Sequence, residues 1–171
     1  MPPPHHQKDQ RSANCAVITV SDTRTEETDT GGQLLCSLLE AAGHRVISAA
    51  IVKDEPVEVA KLVRAKCSDD DCHAVLLSGG TGIAARDTTV EAIMPLLDKR
   101  LDGFGELFRM LSYDQVGAAA MLSRALAGIV NQTAVFLMPG SPKAVELAMT
   151  KLVIPELGHI VALAGKADRN G

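Results

Sequence analysis

Three short strings of small and polar residues could hold an anion. They are Ser21-Asp22-Thr23-Arg24, Ser78-Gly79-Gly80-Thr81-Gly82 and Pro139-Gly140-Ser141-Pro142-Lys143. Glycine carries no Cβ and tolerates positive φ, so SGGTG allows the backbone to come close to a ligand. Successive amide N–H groups in such a turn form a nest for phosphate. A tight strand-to-helix turn explains the same composition without a ligand. In PGSPK, Ser141 is placed as an N-cap and Pro142 as the first helical residue. The helix start then offers unpaired N–H groups and partial positive charge, and Lys143 adds a full charge. A well-capped helix is the plainer account. Asp29 precedes Gly31-Gly32, and Asp87 follows SGGTGIAAR. Each either caps a helix or shares a Mg2+ ion, which takes one or two carboxylates together with phosphate oxygens. Arg86 beside Asp87 is a phosphate clamp or an ordinary surface charge. A side chain added at Gly80 is expected to obstruct ligand approach and leave the fold largely intact.

Other chemistry is disfavoured. SGGTG has no Gly-Lys-Ser/Thr after it, and its spacing is not that of a dinucleotide fingerprint. Gly103-Phe104-Gly105-Glu106 puts the Glu106 carboxylate at a helix start, where capping is the plain role. Cys67-Ser-Asp-Asp-Asp-Cys72-His73 lacks a fourth well-spaced metal ligand and reads as an acidic surface turn. The five histidines, at 5, 6, 44, 73 and 159, lie in no catalytic setting, so acyl transfer is unsupported. Tyr113, the only tyrosine, has no assignable role. Backbone donors, small hydroxyls and aspartates remain. That set suits phosphate positioning and metal-assisted phosphoryl or nucleotidyl transfer.

The elements that must position these strings alternate. Residues 15–21, CAVITVS, read as a strand buried on both faces. Leucines at 34, 35, 38 and 39 mark a helix over 31–42, closed by Gly43. Strands are expected over 44–52 and 74–77, and helices over 57–65 and 88–97. A short helix is expected over 106–111, another helical stretch over 118–122, and a hairpin over 125–130 and 134–138. A long apolar helix over 142–164 should be kinked or split by Pro155. Such alternation gives an α/β fold with a mainly parallel sheet covered on both faces. Its ligand site lies beyond the carboxyl ends of the strands, where the strand order reverses.

Length and composition bound the rest. A chain of 171 residues makes one domain, here residues 15–171, behind a polar, Pro-rich arm over 1–14 that reads as disordered. His5 and His6 in that arm read as solvated, not as a metal site. Aromatic residues are 2 % of the chain and the net charge is −4, so neither a stacking platform nor a basic stripe exists for nucleic acid. No secretory leader is evident and no apolar run reaches a membrane span. Four cysteines without a disulfide spacing pattern fit a reducing cytoplasm. The 142–164 helix is apolar on more than one face, which favours a homo-oligomer.

Taken together, the strings resemble one family. ITVSDTR, D-x-GG opening a helix, SGGTG-x4-D-x-T, DGFGE-x-FR, SR-A-x-AG and L-x-PGSPKA occur in the order of the MoaB/MogA molybdenum-cofactor biosynthesis proteins. The match runs from Cys15 to about Ala164, and IPELGHI is more similar to MoaB than to MogA. GGTG alone is shared with gephyrin-like, MoeA-like and CinA-like domains. The resemblance implies a three-layer α/β/α sandwich that binds molybdopterin. It implies adenylylation of molybdopterin with ATP and Mg2+, or alternatively a non-catalytic carrier role in the same pathway. Catalytic and metal-holding roles would fall to Asp29 and Asp87. Ser21, Asp22, Ser78, Gly79, Gly80, Thr81, Gly82, Glu106, Pro139, Gly140, Ser141 and Pro142 would bind ligand and phosphate. A trimer or hexamer is implied, with a MoeA-like insertion protein as partner. TDTGG in place of the D-K-G string of MogA separates binding from activity.

Overall fold

The computed structural model describes residues 11–166. Its sheet has six strands: β1 Asn14–Val20, β2 Arg45–Val52, β3 Ala74–Ser78, β4 Lys99–Arg100, β5 Leu126–Val130 and β6 Thr133–Met138. Their order is β2-β1-β3-β6-β5-β4. β2, β1, β3 and β6 run parallel, whereas β5 is antiparallel to both neighbours. The helices are α1 Thr30–Ala41, α2 Pro56–Ser68, α3 Thr89–Ile93, α4 Asp102–Val116, α5 Pro142–Ala148 and α6 Ile154–Ala164.

Side-chain alternation explains the continuous apolar runs. In β1, Cys15 and Val17 face one helical layer while Ala16, Ile18 and Val20 face the other. β3 and β6 divide in the same way. One layer is α1, α4, α5 and α6; the opposite layer is α2 and α3. The result is the expected three-layer α/β/α sandwich. From β1 the chain crosses to β2 on one side and then returns to β3 on the other, so the order reverses between β1 and β3. The β1, β3 and β6 ends, which carry the three strings, are therefore neighbours.

Several boundaries differ from expectation. The arm does not extend to Asn14. Ala13 is fully buried and its N–H donates to His44 Nδ1, while Ser12 Oγ donates to the Gly43 carbonyl. Residues 1–10, with His5 and His6, lie outside the described residues. α3 stops at Ile93 because Pro95 has no N–H to continue it, and Met94–Leu96 form a 3-10 turn. The helix expected over 106–111 extends to fifteen residues. Gly105 does not interrupt it: a Cβ there would lie 2.5 Å from the Ala125 carbonyl, so the glycine permits close helix–strand packing. Gly117–Leu122 is 3-10. β4, two residues long, carries no hydrophobic signature.

The 142–164 helix is split as expected. Met149–Val153 form a π turn, and Pro155 sits in the first turn of α6. Contrary to the sequence reading, Pro142–Ala164 is long and apolar enough to cross a membrane by length and composition. Its apolar face is occupied inside the fold, where Val145, Met149, Val153, Leu157 and Val161 join the core. This also weakens its use as an argument for self-association. Leu163 of α6 stays exposed, but the exposed apolar residues cluster at Met110, Tyr113, Val116, Met121 and Leu122 of α4 and the following 3-10 turn.

Candidate functional site

The SGGTG loop turns directly after β3. Gly79 has φ +103° and Gly80 φ +70°, conformations that L side chains rarely adopt. The close approach expected at these glycines is to the chain itself. A Cβ on Gly79 would overlap the Val20 carbonyl, and one on Gly80 would overlap Thr89 Oγ1. A side chain at Gly80 therefore perturbs the fold, contrary to expectation. Beyond the turn, the amides of Gly80, Thr81, Gly82 and Ile83 have no acceptor among the described residues. Four consecutive free donors are the material of an anion nest.

The neighbouring loops close around this turn. A Cβ on Gly140 would lie 3.4 Å from Gly79 Cα, so the Pro139–Pro142 turn packs against SGGTG. Ser141 Oγ accepts from the Ala144 N–H at 3.2 Å, as the expected N-cap. A cleft of about 880 Å3 begins there, bordered by Pro139, Ser141 and Lys143 on one side and Ser112, Gln115 and Ser123 on the other. After β1, Ser21 Oγ accepts from the Thr23 and Arg24 amides. Arg86 reaches Asp22 with two nitrogens, at 2.8 and 3.1 Å, and Glu55 at 3.2 Å. It is a strap between loops. Its guanidinium holds the Asp22 carboxyl below the usual carboxylate range.

The two aspartates singled out by sequence have different surroundings. Asp29 is nearly buried; one oxygen accepts from the Gly32 N–H at 2.9 Å, the other from Thr19 Oγ1 at 2.6 Å. It caps α1. Asp87 accepts from the Ala84 N–H at 3.1 Å and packs beneath Gly82, inside the loop. Glu106 is exposed in the second turn of α4, not at its start, and among the described residues it bonds to none of these loops.

Asp54 was missed. It follows β2 by two residues, is 7 % exposed, and accepts from the Thr88 N–H and from Thr88 Oγ1 at 2.9 Å. Its other oxygen faces Gly80. Applying the strand-end rule to all parallel strands would have found it. Thr89 Oγ1 and Ser78 Oγ, both buried, have no hydrogen-bond partner among the described residues. Orphaned buried hydroxyls are uncommon in folded proteins, and these two flank the loop. Arg124, two residues beyond the 3-10 turn, also bonds into the loop.

No cluster of three His, Cys, Asp or Glu among the described residues could hold a metal ion. A Mg2+ ion at the loop would draw on Asp54, Asp87 and the Thr89 hydroxyl together with ligand oxygens. Cys67, Cys72 and His73 are occupied structurally: the Cys72 thiol donates to the Ala74 carbonyl, and His73 Nδ1 accepts from Asn14 N. All four cysteines are free, and burial pushes the Cys15 and Cys67 thiols up to about 12.

Comparison with known proteins places this arrangement. Residues 16–159 match the family described as "probable molybdopterin binding domain". The chain is 57 % identical over 158 residues to molybdenum cofactor biosynthesis protein B of Bacillus subtilis, covering 92 % of this chain and 93 % of that protein. A crystal structure of a molybdenum cofactor biosynthesis protein B superposes with a TM-score of 0.88 at 52 % identity, over 91 % of this chain and 97 % of the other. The tungsten cofactor synthesizing protein MoaB from Pyrococcus furiosus superposes at 0.79 with 39 % identity, over 90 % and 98 %. The chain belongs to the molybdopterin-binding domain family of molybdenum cofactor biosynthesis proteins, on its MoaB side.

Proposed function

We propose that this protein binds molybdopterin at the β1, β3 and β6 ends and adenylylates it with ATP and Mg2+. The observation that carries the reading is the run of free amides from Gly80 to Ile83 beside Asp54, Asp87 and two unpartnered hydroxyls. Adenylylation forms a bond from a molybdopterin phosphate oxygen to the α-phosphorus of ATP and breaks the α–β anhydride, releasing pyrophosphate. Catalysis of such transfers rests on positioning and charge stabilisation. The amides hold the negative oxygens, and Asp87 and Asp54 would hold the Mg2+ ion that faces them. Bound Mg2+ supplies charge neutralisation on the phosphates. Asp29 supports the site by fixing the start of α1. The cleft bordered by Ser141 and Lys143 falls within the size range of small-molecule sites. The product would pass to a MoeA-like insertion protein, and the free thiols fit a reducing cytoplasm.

Self-association, as a trimer or hexamer, is proposed through the exposed face of α4 and the 3-10 turn, where Tyr113 and Met121 are 61 % and 74 % exposed. Pyrophosphate release from ATP with purified molybdopterin tests the activity. Molybdopterin binding without release would leave the carrier reading in its place.

A further inference from the structure

We propose that Arg124 is a positioning residue that orients the peptide planes of the SGGTG loop, so that its free amides face the ligand. The inference rests on the reading of that loop as the ligand site. Arg124 binds the loop by three separate contacts. Its backbone N–H donates to the Thr81 carbonyl at 3.1 Å, Nε donates to the Gly82 carbonyl at 3.0 Å, and one terminal nitrogen donates to the Asp87 carbonyl at 2.9 Å. The guanidinium is itself held by an ion pair with Glu91 on α3.

A trans peptide is planar, and its C=O and N–H point in opposite directions. A carbonyl drawn toward Arg124 therefore sends the next residue's N–H away from it. Three planes are set in this way. The Thr81 and Gly82 carbonyls turn the Gly82 and Ile83 amides outward, and both of those amides lack an acceptor. The Asp87 carbonyl turns the Thr88 amide outward, where it meets Asp54 Oδ1 at 3.3 Å. The Arg124 side chain thus aligns the Ile83 nest donor and the amide that seats Asp54, while its backbone N–H aligns the Gly82 donor. Gly79, Gly80, Gly82, Ile83 and Ala84 lie at positive φ or in bends; the Thr89 N–H on the Gly80 carbonyl and the Asp87–Ala84 bonds hold the ends of this stretch, and between them Arg124 supplies the preorganisation that an electrostatic site requires.

The test uses the full-length protein with R124Q, R124K and E91Q. Affinity for molybdopterin, and for inorganic pyrophosphate as a plain anion probe, is measured by calorimetry. Amide exchange is followed at Thr88, which is bonded to Asp54, and amide chemical shifts at Gly82 and Ile83, which have no acceptor to protect them among the described residues. R124Q is expected to weaken both ligands on the order of tenfold, as loss of a supporting group does, to speed exchange at Thr88 and to move the Ile83 amide resonance, while Gly82, whose plane the Arg124 backbone sets, stays unchanged. E91Q leaves the carbonyl contacts in place and should bind within about twofold of the parent. R124K keeps the charge without the fork geometry and should remain impaired. Wild-type affinity and exchange in folded R124Q, or full recovery in R124K, overturns the proposal. A purely structural role would lower Tm and leave the affinity of the folded fraction unchanged, which also overturns it. Should R124Q not fold, the R124K exchange pattern decides. A parent protein that binds neither probe sinks the ligand-site reading, and the exchange data still judge Arg124.

Discussion

Replacing Gly80 with alanine tests the geometry of the loop through stability. Two costs add. Gly80 has φ +70°, and an L-residue in the left-handed region costs roughly 1–2 kcal/mol. The new Cβ would also overlap Thr89 Oγ1 outright, while Asp54 Oδ2 and Thr89 Cβ would each stand at 3.0 Å. Relieving that overlap requires Thr89 to rotate or the backbone to move, at about 1–3 kcal/mol. The total is about 3 kcal/mol, which for a domain of this size lowers Tm by roughly 6–12 °C. Thr89→Ala removes the colliding oxygen, and since that hydroxyl has no partner the single change should cost under about 1 kcal/mol. The double variant should then be more stable than the sum of the singles predicts, by about 1–2 kcal/mol. Urea unfolding with a shared m-value reads all four corners of the cycle. Additivity within about 0.5 kcal/mol, or a Gly80→Ala cost below about 1 kcal/mol, would refute the reasoning.

The aspartates should separate by readout. Asp87→Asn and Asp54→Asn should cut pyrophosphate release at least tenfold with modest change in Tm, whereas Asp29→Ala should lose roughly 1–3 kcal/mol by uncapping α1 and stranding Thr19. Loss of release with an unchanged Tm in Asp29→Ala would return that residue to the site. His44 and His73 each accept a backbone N–H at Nδ1, and burial lowers both pKa values from 6.5; Lys166 also lowers His73, against an opposing pull from Asp71. The folded state therefore binds fewer protons than the unfolded, so this stabilisation is present above pH 6.5 and is lost as pH falls through the lowered values. Protection of the Ala13 and Asn14 amides, taken relative to their intrinsic exchange rates, should fall as pH drops below 6.5, and ring titration by NMR above 6.5 would contradict this. Met121→Glu should shift the light-scattering mass toward monomer; an unchanged oligomer would move the interface away from α4.

Much of this protein was legible in one dimension. The apolar runs of β1 and β3 lie between two helical layers, so both side-chain faces had to be apolar and the buried parallel sheet could be read directly. Ser141-Pro142 is a local cap whose partner lies three residues away, and local partners are visible in sequence. Alternation of elements also placed SGGTG and PGSPK at one sheet edge. Tertiary structure decided the rest, because the partners are distant in the chain. Nothing local distinguishes Asp29, which turns inward to Thr19, from Asp87, which sits under the loop. Asp54 meets Thr88 across 34 residues, and Arg124 meets Gly82 across 42. Apolarity alone likewise could not tell the Pro142–Ala164 helix, one apolar face of which the core absorbs, from the face of α4, whose surface it leaves exposed. That division depends on which side of each helix the sheet occupies, and only packing determines it.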